Sequence, residues 1–141
     1  MAIDNGYPPS YELYNQPVVI HQVDGTRWHP QNYDRSTSGL TTLREALTRS
    51  LNLVSVRLVQ EVIPPEKVVT YAKRFGFTTR IHPYDAIALG SDVVYPIELA
   101  SAFSAFANDG IRIEPIVVTK VVDKNGNTLY QANPRIHEVI S

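Results

Sequence analysis

The sequence predicts an α+β fold in which a mainly helical middle is flanked by short β-hairpins near both ends. In the middle, residues 40–110, apolar residues recur with the period of about 3.6 that α-helices show, and prolines and glycines separate the helical segments. On both sides, short β-prone runs surround Asp24-Gly25 and Asp123–Gly126, which are typical hairpin turns. With 43% hydrophobic and 19% charged residues, the 141-residue chain has the composition of one globular domain or part of one.

The beginning of the chain is predicted to be an extended lead-in with one hairpin. Ala2–Gly6 has the pattern of a helix end with glycine at the C′ position, and Pro8-Pro9 excludes a helix directly after it. Pro17–Ile20 and Gln22–Trp28 are the β-prone runs of the first hairpin. The loop over residues 28–39 is expected to pack onto the core as an aromatic plug or, alternatively, to form the wall of a binding groove.

The middle of the chain is predicted to hold four helices. Thr42-x-x-Glu45 is a capping box at the start of the first helix. Pro64-Pro65 ends the second helix, and the third is predicted over Glu66–Phe75, with Gly76 closing it. The buried stripe of the third helix is expected to consist of Val68, Val69, Ala72 and Phe75.

The fourth helix is predicted to begin at Pro96 and to end at Asn108–Gly110. Because this helix is apolar and carries many alanines and serines, we expect it to pack closely against another helix. The residues before it, 78–91, are expected to form a connection in which Gly90 adopts a positive φ.

After the fourth helix the sequence becomes β-prone. The β-branched run Ile111–Val122 predicts one or two strands, and Asn127–Gln131 is the predicted return strand of the second hairpin. The last residues, Ile136–Ser141, contain no element that would terminate a fold.

The stretch Leu40–Ile63 is predicted to contain a break in its helix. At about 100° per residue, the polar faces of its two halves differ by roughly 140°, so no straight helix can bury both apolar faces. The change falls at Ser50-Leu51-Asn52, where Ser50 and Asn52 lie within apolar arcs. Because burying an unpaired polar group costs about 1–3 kcal/mol, this pattern predicts a satisfied polar site at an inner surface. The alternative is that Asn52 only caps the second helix.

Composition and motifs argue against several classes of function. A formal charge of −1 gives no electrostatic reason to expect nucleic acid or an anionic membrane as a partner. The absence of cysteine excludes disulfides and thiolate chemistry. We find no phosphate loop and no dinucleotide fingerprint, and the four histidines have no metal-binding spacing, so we expect neither a cofactor nor a metal. No apolar run approaches the length of about 18 residues that a membrane span needs.

The order of residues from Trp28 to Pro134 resembles the transpeptidase domain of class A penicillin-binding proteins, the bifunctional enzymes of bacterial cell-wall synthesis. The resemblance covers most of the chain, so it is far more specific than any one motif. The matching pieces are Trp28-His29-Pro30-Gln31-Asn32-Tyr33-Asp34, Gly39, Thr42-Leu43-Arg44-Glu45-Ala46-Leu47, Arg49-Ser50-Leu51-Asn52, Tyr71-Ala72, Phe75-Gly76-Phe77, Ala88-Leu89-Gly90, Pro96-Ile97-Glu98-Leu99-Ala100, Phe106-Ala107-Asn108-Asp109-Gly110 and Leu129-Tyr130-Gln131.

In that family a Ser-x-x-Lys nucleophile motif, a Ser-x-Asn motif and a Lys-Thr/Ser-Gly motif meet in one cleft. Ser50-Leu51-Asn52 matches the second motif, whereas the sequence contains neither of the other two. The resemblance therefore implies that the chain begins just after the nucleophile helix and ends before the last motif. It also implies that the chain alone is inactive and that the flanking parts of the same domain are its partners.

The resemblance assigns catalytic roles to Ser50 and Asn52 and a substrate-binding role to Asn52. The implied ligands are peptidoglycan stem peptides ending in D-Ala-D-Ala and β-lactams, and no cofactor is implied. Leu51 is expected to pack inward. Arg49 is expected to be a solvated helix residue or, alternatively, to act at the rim of the cleft.

These expectations divide the chain into a lead-in over residues 1–40, a helical subdomain over 41–110 and a β-hairpin segment of the same domain over 111–141. The resemblance implies an extracytoplasmic location on the periplasmic face of the inner membrane, with the membrane anchor outside this chain. The competing hypothesis is a non-catalytic helical interaction module whose fourth helix docks a partner. A further expectation is self-association of the separate piece through exposed apolar surface.

Overall fold

The computed structural model describes residues 1–22 and 24–140, so the predictions for Val23 and Ser141 lie outside the described residues. The α-helices are α1 Leu43–Thr48, α2 Asn52–Arg57, α3 Pro65–Arg74 and α4 Pro96–Ser104. The strands are β1 Glu12–Tyr14, β2 Ile20–His21, β3 Arg27–Trp28, β4 Leu40–Thr42, β5 Ile111–Ile113, β6 Lys120–Val122, β7 Thr128–Gln131 and β8 Ile136–Glu138. Short 3₁₀ segments cover Ile3–Asn5, Asp85–Leu89 and Ala105–Ala107, and a π-helical segment covers Leu58–Val62.

The strands form antiparallel pairs. The combination of helices with short antiparallel strand pairs confirms the predicted α+β class. The pairs β2–β3 and β6–β7 are the two predicted hairpins, with strands shorter than the β-prone runs. The pairs β1–β4 and β5–β8 were not predicted. Strands of three residues are too short to show a period of two, and their partners lie far away in the sequence.

The chain divides into two compact units. Unit 1 comprises Met1–Tyr71 and Arg80–Val93, and unit 2 comprises Ala72–Thr79 and Val94–Ser141. The core around the helix break lies in unit 1. Its four buried residues are Leu13, Ala46, Leu51 and Val54. Four partly buried residues pack against them, namely Tyr11, Leu43, Leu58 and Val62.

Two of the predicted helices differ in their packing from the expectation. The four residues predicted as the buried stripe of α3 are only half-buried, so the prediction of a buried stripe is wrong. In α4 the small residues Ser101 and Ala102 are buried, whereas the large Phe103 is 65% exposed. Within the described residues, α4 has its main strand contact with β5 and no comparable contact with another α-helix, and the Ser101 hydroxyl donates to the Ile113 carbonyl at 3.2 Å.

The remaining helix ends agree with the sequence. Gly6 follows the 3₁₀ segment at the start and Gly90 follows another one, both with positive φ as predicted. The Thr42 hydroxyl accepts the Glu45 N–H at 3.2 Å, which is the predicted cap of α1. Among the helices that the structure describes, none has both the length and the hydrophobicity that a membrane-crossing segment requires.

Candidate functional site

The predicted helix break is confirmed, and its backbone forms a defined C-capping motif. Ser50, two residues past the end of α1, adopts the left-handed conformation with φ of 54°. Its N–H donates to the Leu47 carbonyl at 3.2 Å, and the Leu51 N–H donates to the Ala46 carbonyl at 2.9 Å. These are the two bonds of a Schellman motif in which Ser50 occupies C′ and Leu51 occupies C″. α2 then begins at Asn52.

Leu51 anchors this turn in the core of unit 1. Its side chain is 2% exposed and packs in the cluster that contains Ala46 and Val54. A contact between the C″ residue and the last turn of the helix is the usual companion of the Schellman motif. The prediction that Leu51 packs inward is therefore confirmed.

Ser50 occupies a position that favours glycine. The left-handed conformation costs a residue with a Cβ atom about 1–2 kcal/mol, because Cβ approaches the following carbonyl oxygen. Such strain in an otherwise ordinary turn is a reason to ask what the side chain does. The strain therefore marks the Ser50 hydroxyl as a candidate functional group.

The expectation that Ser50 faces an inner surface is wrong within this chain. Ser50 is exposed, and its hydroxyl makes no hydrogen bond to any residue that the structure describes. The Schellman turn explains the difference, since it buries the C″ residue and leaves the C′ residue at the surface. The neighbouring Arg49 is also exposed and donates to the Glu45 carboxylate at 2.9 Å, as expected of a solvated helix residue.

Asn52 is half-buried, and its amide is held by a distant part of the chain. Its Nδ2 donates to the backbone carbonyl of Gln31 at 2.9 Å. Because a carbonyl can only accept, this bond fixes which side of the amide faces Gln31. The capping alternative is wrong, since the N-cap position is Leu51 and no side chain of that residue caps α2. The second N–H and Oδ1 of Asn52 make no hydrogen bond to a described residue, so they are available to a ligand.

The loop over residues 28–39 is held down by buried amides rather than by aromatic rings. Tyr33 is fully exposed and Trp28 only half-buried, so the predicted aromatic plug is wrong. Instead, Asn32 is 4% exposed and its Nδ2 donates to Oδ1 of the fully buried Asn15 at 2.7 Å. Sequence reasoning missed both asparagines, because a polar residue in a loop carries no signal of burial. The sequence pointed to Asn32 only because it lies in the run 28–34, one of the pieces that carry the family resemblance.

The surroundings of Asp34 in this loop favour its ionised form. The neighbouring Ser36 holds the pKa of the Asp34 carboxyl below its usual range, with its backbone N–H at 2.9 Å from Oδ1, and the positive charge of Arg49 adds to the effect. Asp34 therefore stays ionised at neutral pH, near the residue that precedes Ser50.

Within residues 1–22 and 24–140, no group of three histidine, aspartate or glutamate side chains is arranged to hold a metal ion. Two histidines instead pair with single carboxylates. His82 lies 2.9 Å from Asp92, and His137 lies 2.9 Å from Glu114. Each pair is an ordinary charge-assisted contact rather than a candidate metal centre.

Comparison with known proteins gives one consistent family. Residues 1–140 match the profile of the penicillin-binding protein transpeptidase domain. Penicillin-binding protein 1A of Pseudomonas aeruginosa is 36% identical over 135 residues, which cover 94% of this chain and 16% of that protein. The chain thus spans about a sixth of the length of this curated relative.

Solved structures give the same answer for the fold. Penicillin-binding protein 1A from Haemophilus influenzae superposes with a TM-score of 0.87 at 31% identity, over 96% of this chain and 20% of that chain. PonA1 from Mycobacterium tuberculosis, solved in complex with penicillin V, superposes with a TM-score of 0.79 at 27% identity, over 92% of this chain and 37% of that chain.

Proposed function

The chain belongs to the family of penicillin-binding protein transpeptidase domains, and we propose that it is the part of a peptidoglycan DD-transpeptidase that carries the Ser-x-Asn motif. The whole protein cross-links stem peptides ending in D-Ala-D-Ala through a serine acyl-enzyme, and β-lactams acylate it. The likeness to a relative that was solved with penicillin V supports β-lactams as ligands.

The observation that carries this proposal is the strained, exposed Ser50 next to an oriented Asn52. A turn that only had to end α1 would be more stable with glycine at this position. The hydroxyl is exposed and unbonded within the described residues, and the Asn52 amide has an unused N–H and an unused oxygen. This is a pair of groups that can serve a ligand lying against the turn.

Ser50 acts as a proton relay in the proposed mechanism. The serine of a Ser-x-x-Lys motif, which this sequence does not contain, attacks the carbonyl carbon, so that a C–O bond forms and the C–N bond to the leaving amine breaks. The leaving nitrogen needs a proton. The Ser50 hydroxyl can donate its proton to that nitrogen and accept another from the nucleophile side, because one hydroxyl both donates and accepts.

Asn52 holds the substrate in this mechanism. Its free N–H donates to a carbonyl of the substrate, and its Oδ1 accepts from the lysine of the nucleophile motif. The bond to Gln31 fixes the amide before the substrate arrives. A group that is already oriented needs no rearrangement during the reaction, which lowers the barrier to acylation.

The proposal also concerns location and partners. Peptidoglycan cross-linking takes place outside the cytoplasm, so we place the whole protein on the periplasmic face of the inner membrane. The flanking parts of the transpeptidase domain complete the cleft around Ser50 and Asn52.

The first test uses a fluorescent penicillin and the whole protein. We expect Ser50→Ala and Asn52→Ala each to lower the acylation rate by roughly 10²-fold or more, because proton transfer and oriented hydrogen bonds each contribute on that order. The fold should be nearly unaffected, as judged by circular dichroism. Acylation of both variants at the wild-type rate would reduce the two residues to structural parts.

The second test uses the 141-residue chain alone. Because its sequence lacks a Ser-x-x-Lys nucleophile, it should neither hydrolyse the fluorescent penicillin nor retain it after denaturing electrophoresis. Covalent labelling of the separate chain would contradict the assignment of the nucleophile to another part of the domain.

The competing interaction module is favoured by one observation in unit 2. Phe103 and Phe106 of the α4 region are 65% and 64% exposed, which leaves an apolar surface open to a partner or to a second copy. Light scattering separates this alternative from the transpeptidase proposal only together with the labelling test. Two results together would favour the module: self-association of the 141-residue chain, and a whole protein that penicillin does not acylate.

A further inference from the structure

Asn32 lies in a surface loop, yet it is 4% exposed and nearly all of its hydrogen-bonding capacity is used. Its Nδ2 donates one N–H to Oδ1 of Asn15 at 2.7 Å and the other to the Ser36 carbonyl at 2.7 Å. Its Oδ1 accepts the backbone N–H of Leu53 at 3.2 Å. A buried amide with partners on both sides has a single orientation, because rotation about its last bond would break all three bonds.

Asn15 is the base of this network. It is 0% exposed and donates from Nδ2 to the Ser38 hydroxyl at 3.1 Å. Its backbone pairs with the far end of the loop, through its N–H to the Gly39 carbonyl at 3.1 Å and its carbonyl to the Ser38 N–H at 2.8 Å. The loop is therefore attached to the residue that follows β1, on a fixed part of unit 1.

The network reaches Asn52 by two routes. The first N–H groups of a helix have no acceptor within the helix. Oδ1 of Asn32 is the acceptor for the N–H of Leu53, the second residue of α2. The adjacent carbonyl, that of Gln31, accepts from the Asn52 side chain at 2.9 Å. The peptide segment 31–32 thus holds both the backbone after Asn52 and the Asn52 amide itself.

The sequence explains why the cap comes from a distant residue. Leu51 occupies the N-cap position and has no side-chain acceptor, since that position must supply the buried anchor of the preceding turn. A Ser, Thr, Asp or Asn at the same place would cap α2 but would lose the anchor. Asn32 supplies the cap instead, and it ties the helix start to the loop.

We infer that Asn32, supported by Asn15, is a positioning residue that sets the orientation of the Asn52 amide for acylation. The inference rests on the proposed function, because it assigns Asn32 an effect on the rate only through Asn52. Neither asparagine touches the reacting atoms. The loop over residues 28–39 is then part of the catalytic machinery as the support of the Ser-x-Asn motif.

A double-mutant cycle in the whole protein tests this inference, with the rate constant for acylation by a fluorescent penicillin as the readout. Asn32→Ala should lower that rate constant about 10- to 100-fold, since small misplacements of an oriented group cost this much. In the Asn52→Ala background the same substitution should change the rate less than twofold, because the group that it positions is gone. If Asn32→Ala lowers the acylation rate constant by the same factor in the wild-type and Asn52→Ala backgrounds, Asn32 acts only on the general fold, and the inference is overturned.

A matched control and a milder variant keep the cycle decisive. Ser101→Ala also removes the hydrogen bond of a buried side chain, here to the Ile113 carbonyl in unit 2, and it should leave the acylation rate unchanged. If Asn32→Ala unfolds at the assay temperature, Ser38→Ala removes only the outer member of the network. It should give a smaller loss that also disappears in the Asn52→Ala background.

The outcomes also separate this inference from the proposed function. A wild-type protein that is not acylated, or an Asn52→Ala variant that is acylated normally, would contradict the proposed function itself. Slow acylation in Asn52→Ala together with a wild-type rate in Asn32→Ala would contradict only the positioning role.

Discussion

Helices α1 and α3 end in the same backbone motif but with different residues at its left-handed position. At the end of α1, Ser50 and Leu51 donate their N–H groups to Leu47 and Ala46. At the end of α3, Gly76 donates to the Lys73 carbonyl at 3.0 Å and Phe77 to the Ala72 carbonyl at 3.1 Å. Gly76 has a φ of 92° and Ser50 a φ of 54°.

Close packing explains why position 76 is a glycine. A Cβ atom at Gly76 would lie 2.5 Å from Cζ of Arg112, a side chain that is only 9% exposed. Ser50, in contrast, is exposed. The α3 end therefore has the residue that its backbone and its packing require, whereas the α1 end carries a hydroxyl at the cost of backbone strain. This difference supports the proposal that the first turn presents a side chain, whereas the second turn only ends a helix.

The largest expected effect concerns the anchors of the two turns. Leu51→Ala should destabilise the chain by about 2–5 kcal/mol, because it removes a fully buried side chain from the core of unit 1. Phe77→Ala, at the same position of the α3 turn, is the matched control and should cost less, since Phe77 is half-buried. Urea unfolding measures both. Equal losses would mean that the α1 turn is no more firmly anchored than the α3 turn.

The next effect concerns the glycine. Gly76→Ala should destabilise the chain by about 2–3 kcal/mol, from the left-handed backbone and from the displacement of the Arg112 guanidinium. The same urea titration gives the value. An unchanged unfolding midpoint would show that the α3 turn tolerates a Cβ atom, and the contrast with Ser50 would lose its basis.

Much of this site could be predicted from the sequence. The change in the phase of the apolar residues located the break at Ser50-Leu51-Asn52, because a straight helix cannot bury faces that differ by about 140°. The same periodicity could not show that Ser50 is exposed, since a C′ residue belongs to neither helix face. It therefore favoured an inner position for a side chain that lies outside.

The support of the site was beyond sequence reasoning. Asn15 and Asn32 are 17 residues apart and both are polar, so neither periodicity nor composition pairs them. The strand pair β5–β8 was missed for a similar reason, because three-residue strands acquire their identity from a partner rather than from a pattern. Features that depend on long-range pairing of short segments were thus the ones that only the structure revealed.

The most direct test of the central claim is Ser50→Gly, with two quantities measured side by side. Glycine relieves the left-handed strain but removes the hydroxyl, so the free energy of unfolding of the chain should rise by about 0.5–1 kcal/mol after the entropy cost of glycine. In the whole protein, the rate of acylation by a fluorescent penicillin should fall roughly 10²-fold. A Ser50→Gly variant that is acylated at the wild-type rate would contradict the claim that the strained serine is present for its chemistry.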